Sequence, residues 1–263
     1  MKMDKCYTKK AFTLVELLVV ISIIALLLAI LMPALQKAKL QAQKVLCESN
    51  VHSQLLVQIA YATESNAKFP KHGTWAPEYV RCDTQPPRWR STDNWVDAIK
   101  KGKYISDAKV LLCPALKFLG NDTRLTGYFK DLAWVSPGNS NFGGWNTDKG
   151  IILIPYLWFA GYTSLLPAPG EPPVLATLND GTSRTLMISH RISFASGGGG
   201  WDEGHGGKGL VGGADSNTFL RSYVKSADTP TGFSDGHVDI RRHGQFKARG
   251  DSNYSGSGET YFY

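Results

Sequence analysis

The pentapeptide Asp235-Gly236-His237-Val238-Asp239 brings together side chains that commonly bind metal ions. Side chains two residues apart share one face of a β-strand, so His237 and Asp239 would lie together, joined by Asp235 if the strand began early. Calcium is the ion that these carboxylates would bind, together with backbone carbonyls. The alternative is a tight turn entering a strand, with His237 hydrogen-bonded at the surface. We favour this turn because Asp-Gly is a common turn signal.

A second group of ionisable side chains lies in Asp202-Glu203-Gly204-His205 and could bind a metal or polarise a water molecule. Glycine runs before and after it predict a flexible loop. Since a catalytic group needs rigid support, a solvated loop is the favoured interpretation. The sequence contains no Gly-x-Ser-x-Gly nucleophile elbow and no His-Glu-x-x-His zinc motif. We therefore predict that the protein is not an enzyme and uses no cofactor, the calcium alternative aside.

The four cysteines are Cys6, Cys47, Cys82 and Cys113, and no two of them have C-x-x-C spacing. The spacing therefore does not support a zinc site or a thioredoxin-like site. If the domain is exported, one disulfide among the last three is expected. Cys82–Cys113 would join two loops, whereas Cys47–Cys113 would tie a helix to the domain. The sequence leaves the pairing open.

An apolar run from Leu14 to Met32 is interrupted by one charged residue, Glu16, and one other polar residue, Ser22. As a helix it would be about 28 Å long, close to the thickness of the bilayer core. A secretory signal has a shorter apolar core, of roughly 7–15 residues. The run therefore predicts a retained membrane anchor. The lysines before it predict a cytoplasmic N-terminus, with the rest of the chain on the far side.

Glu16 is anomalous in such a run, because a carboxylate at mid-membrane costs roughly 2.5–3.5 kcal/mol. One interpretation places Glu16 near the interface, where its side chain reaches water. The other gives it a specific cationic partner.

The net charge of +7 is divided between a basic segment of residues 1–11, which carries +3, and a mild surplus spread along the remaining chain. No recognition motif accompanies the surplus, so we predict no nucleic-acid partner.

After Pro33 the pattern predicts an amphipathic helix over residues 34–66 that ends near Ser65-Asn66. Pro33 should bend or locally unwind the helix. An apolar stripe should pack on the globular domain, and a coiled-coil stalk is the less favoured alternative. The stripe consists of Leu35, Ala38, Ala42, Val45, Leu56 and Ile59.

The remaining chain predicts a globular head over residues 67–247 and a polar, disordered tail over 248–263. A short helix is predicted at Asn94–Lys101, and Asn179-Asp180-Gly181 should form a hairpin turn. The expected fold class is α+β: a long N-terminal helix packed on a small antiparallel sheet. Strands are predicted at Gly150–Leu153, Val174–Leu178, Arg184–Phe194, Thr218–Val224 and His237–Arg241.

The stretch KKAFTLVELLVVISIIALLLAILMPAL resembles the class III signal of type IV pilins and type II secretion pseudopilins. The resemblance implies that residues 1–11 are a leader. A prepilin peptidase would cut between Ala11 and Phe12 and methylate the new amine. Residues 12–33 become the transmembrane and assembly helix. Glu16 becomes the fifth residue of the mature chain, and Pro33 falls where helices of the family often carry a kinking proline.

The resemblance also implies a partner for Glu16, which would meet the N-terminal amine of Phe12 on a neighbouring subunit. The protein would then be a structural subunit of a pilus-like or pseudopilus filament. Its partners would be the prepilin peptidase and N-methyltransferase, other pilins and an inner-membrane assembly platform. The head would be periplasmic at first and lie on the cell surface after assembly. The alternative is a minor pilin or pseudopilin that binds a glycan or secreted protein through aromatic loops.

Three further stretches resemble a large pilin-like group that is abundant in Planctomycetes and Lentisphaerae. They are CESNVHSQLLVQIAYATESNAKFP (47–70), LNDGTSRTLMISH (178–190) and GFSDGHVDI (232–240). The sequence departs from the group at two positions. His190 stands where the group often has Glu, and Lys225 stands where it often has His.

Overall fold

A computed structural model of the protein describes residues 12–69, 79–81, 104, 108–111, 113–115, 151–153, 156–162, 175–181, 185–195, 199–202, 204–207, 209–211, 218, 220–221, 224, 228–251 and 259–262. The chain divides into two compact units, Met1–Ala42 and Gln43–Tyr263. The predicted leader, with Ala11, lies outside the described residues. So do Cys82 and the helix predicted at Asn94–Lys101.

A single helix, α1, spans Leu14–Glu64. It is long and apolar enough to cross a membrane, judged by length and composition, and its most apolar part is not buried. It continues through Pro33 without interruption, so the local unwinding predicted there is absent from the described helix. Beyond Glu64 the chain turns sharply, with Asn66 (φ 54°) and Ala67 (φ 62°) in the left-handed region. The predicted end near Ser65-Asn66 is confirmed.

The face of α1 that is buried in the second unit is not the predicted apolar stripe. Leu35 and Val45 from that stripe are 69% and 62% exposed. The buried residues follow helical spacing but include polar side chains, which a search for apolar positions rejects. They are Cys47, Val51, Gln54, Leu55, Val57, Gln58 and Ala62.

The described strands form three antiparallel sheets. A four-stranded sheet has the order β3-β4-β8-β9, with strands Tyr156–Trp158, Leu186–His190, Asp228–Phe233 and Val238–Arg242. A five-stranded sheet has the order β10-β11-β5-β6-β7, with strands Ala248–Asp251, Glu259–Phe262, Ile192–Ala195, Gly199–Asp202 and Gly209–Val211. A small pair joins β1 (Tyr79–Arg81) to β2 (Ile151–Leu153). The predicted α+β class, a long helix with a small antiparallel sheet, is confirmed.

The four-stranded sheet packs closely on α1. A Cβ added to Gly232 of β8 would lie 2.5 Å from Leu55 Cδ1 and 2.7 Å from Ile188 Cγ2. Glycine therefore allows the strand to approach the helix more closely than any side chain would permit. Leu55, Ile188, Met187 and Trp158 are all buried.

Several predicted strands differ from the structure. The strand predicted over Arg184–Phe194 is two strands in different sheets, because β4 ends at His190 and β5 begins at Ile192. The described residues from Thr218 to Val224 are helical or irregular, so the strand predicted there is wrong. The strands predicted near residues 150 and 237 are confirmed as β2 and β9.

The hairpin predicted at Asn179-Asp180-Gly181 is also wrong. Leu178–Asp180 form a short 3-10 helix, in which the Thr177 amide donates to Asp180 Oδ2 over 2.6 Å. Gly181 has φ −92°, whereas a two-residue hairpin turn of the expected kind needs positive φ. Asp180 therefore caps a helical turn.

The described parts of the predicted polar tail, residues 248–251 and 259–262, form β10 and β11. They pair with each other, and β11 pairs with β5. This segment therefore belongs to the head and does not form a separate tail. Threonine and aromatic residues in Glu259–Phe262 are good strand formers.

Candidate functional site

Among the residues that the structure describes, four chemically reactive side chains meet inside the second unit. They are Cys47, Cys113, His190 and His205, and each offers one ligand atom within 4.8 Å of all the others. Their exposures are 0%, 2%, 0% and 0%. We call these four residues the cysteine–histidine cluster. Its members come from distant parts of the sequence and are completely enclosed.

Each member of the cluster is held by a different element. Cys47 lies on the buried face of α1, and His190 is the last residue of β4. Cys113 follows a short 3-10 helix, Ala108–Leu111. His205 lies in the turn after β6, where its amide donates to the Asp228 carbonyl of β8 over 3.0 Å.

Gln54, two turns along α1 from Cys47, links that helix to the 3-10 helix before Cys113 and to β3. Its Nε2 donates to the carbonyl of Val110 over 2.7 Å, which anchors the 3-10 helix before Cys113. Its Oε1 accepts from Trp158 Nε1 of β3 over 2.8 Å. A buried glutamine whose amide nitrogen and oxygen are both hydrogen-bonded holds its partners in place. Loss of either bond would leave a buried polar atom unsatisfied and lower the stability of the fold by about 1–3 kcal/mol.

The Cys47 sulfur lies at the centre of the polar contacts. It is 2.8 Å from His190 Nε2 and 3.2 Å from the Tyr156 hydroxyl. Tyr156 and His190 are paired across β3 and β4, and their rings meet edge to face at 5.0 Å. The register of the four-stranded sheet therefore places both side chains against the same sulfur.

His205 is oriented by a carboxylate. Its Nδ1 bonds Asp228 Oδ1, and Lys44 Nζ binds Asp228 Oδ2 at 2.6 Å. The opposite ring nitrogen, Nε2, is buried and makes no hydrogen bond to any described residue. The ring meets His190 edge to face at 4.9 Å. A carboxylate on Nδ1 directs the lone pair of a neutral imidazole to Nε2, which is how metal-binding histidines are commonly supported.

The cluster stabilises one thiolate. Burial alone would raise the pKa of Cys113, but the Cys47 thiol and the side chains of His190 and His205 lower it to about 3. Burial and the adjacent Cys113 raise the pKa of Cys47 well above its ordinary value. The two sulfurs cannot both ionise readily without further positive charge, since like charges in one enclosed site oppose each other.

The positive charge of a protonated His205 complements the negative charge of the Cys113 thiolate. Burial lowers the pKa of His205, but Asp228 and Cys113 outweigh it and raise the value to about 9. Burial raises the pKa of Asp228, while His205 and Lys44 lower it to about 2. The carboxylate therefore remains charged beside the ring.

Two kinds of chemistry use such side chains. Two sulfurs and two imidazoles form a ligand set for a tetrahedral metal ion. A thiolate beside an imidazolium is also the nucleophile of cysteine hydrolases, but a nucleophile must reach its substrate. All four side chains are enclosed, which favours the metal interpretation.

The predicted site at Asp235, His237 and Asp239 has a different character. Gly236 has φ 89° and completes a tight turn between β8 and β9, as the favoured interpretation expected. Asp235 Oδ1 bonds His237 Nδ1, and the His237 ring stacks on Phe233 at 4.5 Å. The three predicted metal-binding side chains are exposed. Calcium binding at this turn stays a prediction.

The flexible, solvated loop predicted around Asp202-Glu203-Gly204-His205 is wrong for its described residues. Asp202 ends β6, and both Asp202 and His205 are fully buried. A Cβ added to Gly207 would lie 2.1 Å from the Asp202 carbonyl oxygen, so the glycine permits a close turn. Gly207 therefore allows a compact turn, and His205 is a member of the cysteine–histidine cluster.

The structure describes two of the three cysteines among which a disulfide was predicted. Cys47 and Cys113 are free thiols and belong to the cluster. Cys82 lies outside the described residues, so the predicted disulfide among the three stays a prediction. Sequence reasoning missed the cluster because its members are scattered along the chain, without the short spacings that usually reveal a metal site.

Near the N-terminus, the predicted assembly residue Glu16 makes contacts within its own chain. Glu16 Oε2 accepts from the Thr13 amide over 2.9 Å and from the Thr13 hydroxyl over 2.8 Å. The Glu16 amide returns a bond to Thr13 Oγ1 at 3.3 Å. This is a capping box, which satisfies amides at the start of α1. Its signal, Thr13-x-x-Glu16, was visible in the sequence.

Comparison with known proteins gives one match. The prokaryotic N-terminal methylation motif covers residues 7–32, a range that includes Ala11, Phe12 and Glu16. No curated protein and no solved structure matches the chain. The methylation motif is the class III signal of type IV pilins, and it precedes and enters a helix that is apolar enough to cross a membrane. Residues 7–32 therefore carry the N-terminal signal that is typical of type IV pilins.

Proposed function

We propose that the protein is a structural subunit of a type IV pilus-like or type II secretion pseudopilus filament. The observation that carries the proposal is the methylation motif at residues 7–32, in register with an apolar helix that begins at Leu14. Such a helix can hold the precursor in a bilayer and afterwards pack against its copies. The pilin family is structural, and this agrees with the prediction of a non-enzymatic role.

The proposed maturation begins with cleavage between Ala11 and Phe12. A prepilin peptidase removes the basic leader and methylates the amine that the cut creates on Phe12. Ala11 suits this step because its side chain is small. The precursor lies in the inner membrane with its lysines in the cytoplasm, which agrees with the positive-inside rule. The head is then periplasmic until the filament carries it to the surface.

In the proposed assembly step, Glu16 of one subunit pairs with the Phe12 amine of another. A carboxylate and an ammonium that enter an apolar environment together compensate each other, whereas either alone is strongly destabilising there. The capping box holds Glu16 at the first turn of α1, close in sequence to the cut. The pair would also fix the axial offset between neighbouring helices, which apolar contacts alone define poorly.

The binding-module alternative depends on aromatic loops that fall mostly outside the described residues. No described contact favours it, so we retain the structural subunit as the proposed function.

The cleavage step can be tested by replacing Ala11 with Leu. Wild-type protein produced with a prepilin peptidase in membranes should lose residues 1–11, whereas Ala11→Leu should remain full length because a bulky side chain precedes the cut. Ala25→Leu makes the same exchange within the apolar run and should be processed normally. Mass spectrometry of the membrane-extracted chains measures both results. Cleavage of the wild type at any other bond would overturn the proposed processing site.

A further inference from the structure

We propose that the cysteine–histidine cluster binds one zinc ion in tetrahedral coordination and that this ion is a structural element of the head. The proposal goes beyond the filament role and does not depend on it. It rests on four converging donor atoms, a supporting carboxylate and complete enclosure.

The spacing of the donors suits zinc. Typical Zn–S lengths of about 2.3 Å and Zn–N lengths of about 2.0–2.1 Å place tetrahedral ligands roughly 3.3–3.8 Å apart. All four donors of the cluster lie within 4.8 Å of one another. The contact of 2.8 Å between Cys47 Sγ and His190 Nε2 is shorter than this range. It would lengthen by somewhat under 1 Å to admit the ion.

The surroundings are those of a supported metal ligand. Asp228 accepts from His205 Nδ1 and so directs Nε2 toward the other donors. Lys44 holds the same carboxylate from the other side at 2.6 Å. Tyr156 places its hydroxyl 3.2 Å from the Cys47 sulfur, where it can donate to a thiolate. Partners of this kind orient the ligands and tune their basicity in metal sites.

The ion would give His205 Nε2 a bonding partner. That nitrogen is buried and makes no hydrogen bond to any described residue. Zinc would satisfy that nitrogen and would neutralise both sulfurs as thiolates. A disulfide between Cys47 and Cys113 would consume the sulfurs but leave the same nitrogen unsatisfied.

The donor set points to zinc and to a structural role. Two thiolates with two imidazoles in a tetrahedral arrangement are typical of zinc, while calcium and magnesium prefer oxygen donors. Four protein ligands complete the shell, whereas catalytic zinc keeps one position for water or substrate. The four ligands come from four separate segments: the part of α1 that belongs to the second unit, the segment at Cys113, the end of β4 and the turn after β6. One ion would therefore hold these four segments together.

The test uses the full chain purified in detergent, with zinc as the added metal and atomic mass spectrometry as the readout. We expect one zinc ion per wild-type chain, and loss of zinc from Cys113→Ser and His205→Gln. His237→Gln is a matched control at an exposed histidine outside the cluster and should keep the ion. Cys82→Ser changes the same residue type as Cys113→Ser at a cysteine that is not one of the four proposed ligands, and it should also keep the ion. Asp228→Asn should weaken zinc binding roughly 10–100-fold, because only the orienting carboxylate is altered.

The His205→Cys variant distinguishes the loss of a zinc ligand from a failure to fold. Three thiolates with one imidazole are also a ligand set for structural zinc, so this variant should retain the ion. With cobalt in place of zinc, it should absorb more strongly in the thiolate-to-metal charge-transfer region than the wild type. The proposal is overturned if wild-type chain neither contains nor takes up zinc, if Cys47 or Cys113 is found in any disulfide bond in the purified protein, including one to Cys82, or if His237→Gln removes the ion.

Discussion

Glu16→Gln is expected to abolish incorporation of the protein into filaments while membrane insertion remains normal. The exchange keeps the shape of the side chain and its ability to cap α1, since glutamine also serves at this position of a capping box. It removes only the charge. The Phe12 amine of the neighbouring subunit would then enter the filament core uncompensated, at a cost of about 3–5 kcal/mol. That cost corresponds to a loss of roughly a hundredfold to a few thousandfold in the affinity of subunit addition.

Thr13→Ala is the matched control for the cap, because Thr13 supplies the hydroxyl that bonds Glu16. It should weaken the start of the helix by about 0.5–2 kcal/mol and still permit filaments. Glu16→Ala removes both the charge and the cap, and it should fail as Glu16→Gln does. Membrane fractionation measures insertion, and sheared surface filaments measure incorporation. Normal assembly of Glu16→Gln would show that the carboxylate acts only as a cap.

Removal of zinc from the head is expected to lower its Tm by about 8–16 °C. Free zinc at about 1,000 times its Kd contributes about 4 kcal/mol to folding, and a domain of 150–250 residues loses about 2–4 °C per kcal/mol. The cluster joins α1 to both larger sheets of the head through the end of β4 and the turn after β6, so the loss should be cooperative. Near-ultraviolet circular dichroism of the detergent-purified chain, with and without a chelator, measures the shift.

Adding zinc back should restore the original Tm. The Cys113→Ser variant provides the control, since its Tm should already be low and should not respond to the chelator. An unchanged wild-type Tm after verified metal removal would contradict a structural role for the ion.

The parts of the protein that sequence predicts best are those with local signals. Helix α1 follows from a continuous apolar run and from a stop near Asn66, and both can be read within a few turns. The buried face of the same helix was missed because Gln54 and Gln58 lie on it among less polar residues. Glutamine is mostly exposed, so it argues against burial unless its partners are known. Gln54 has those partners in Val110 and Trp158, which are remote in sequence.

The cysteine–histidine cluster could not be predicted for the same reason. It depends on strand register, which pairs Tyr156 with His190, and on a bridge between His205 and Asp228. Neither contact has a local signal. The glycines around His205 were interpreted as a flexible loop, although Gly207 lies where no side chain would fit. Composition alone does not distinguish a flexible glycine from one required by close packing.

The most direct test of the proposed processing and assembly is mass spectrometry of the N-terminus of this chain in surface filaments isolated by shearing. The chain is expected to begin at Phe12, with a methyl group on its amine. This result would join the methylation motif at residues 7–32 to an assembled filament. A chain in the filaments that still begins at Met1 would contradict the proposed processing, and a chain that never enters a filament would contradict the proposed function.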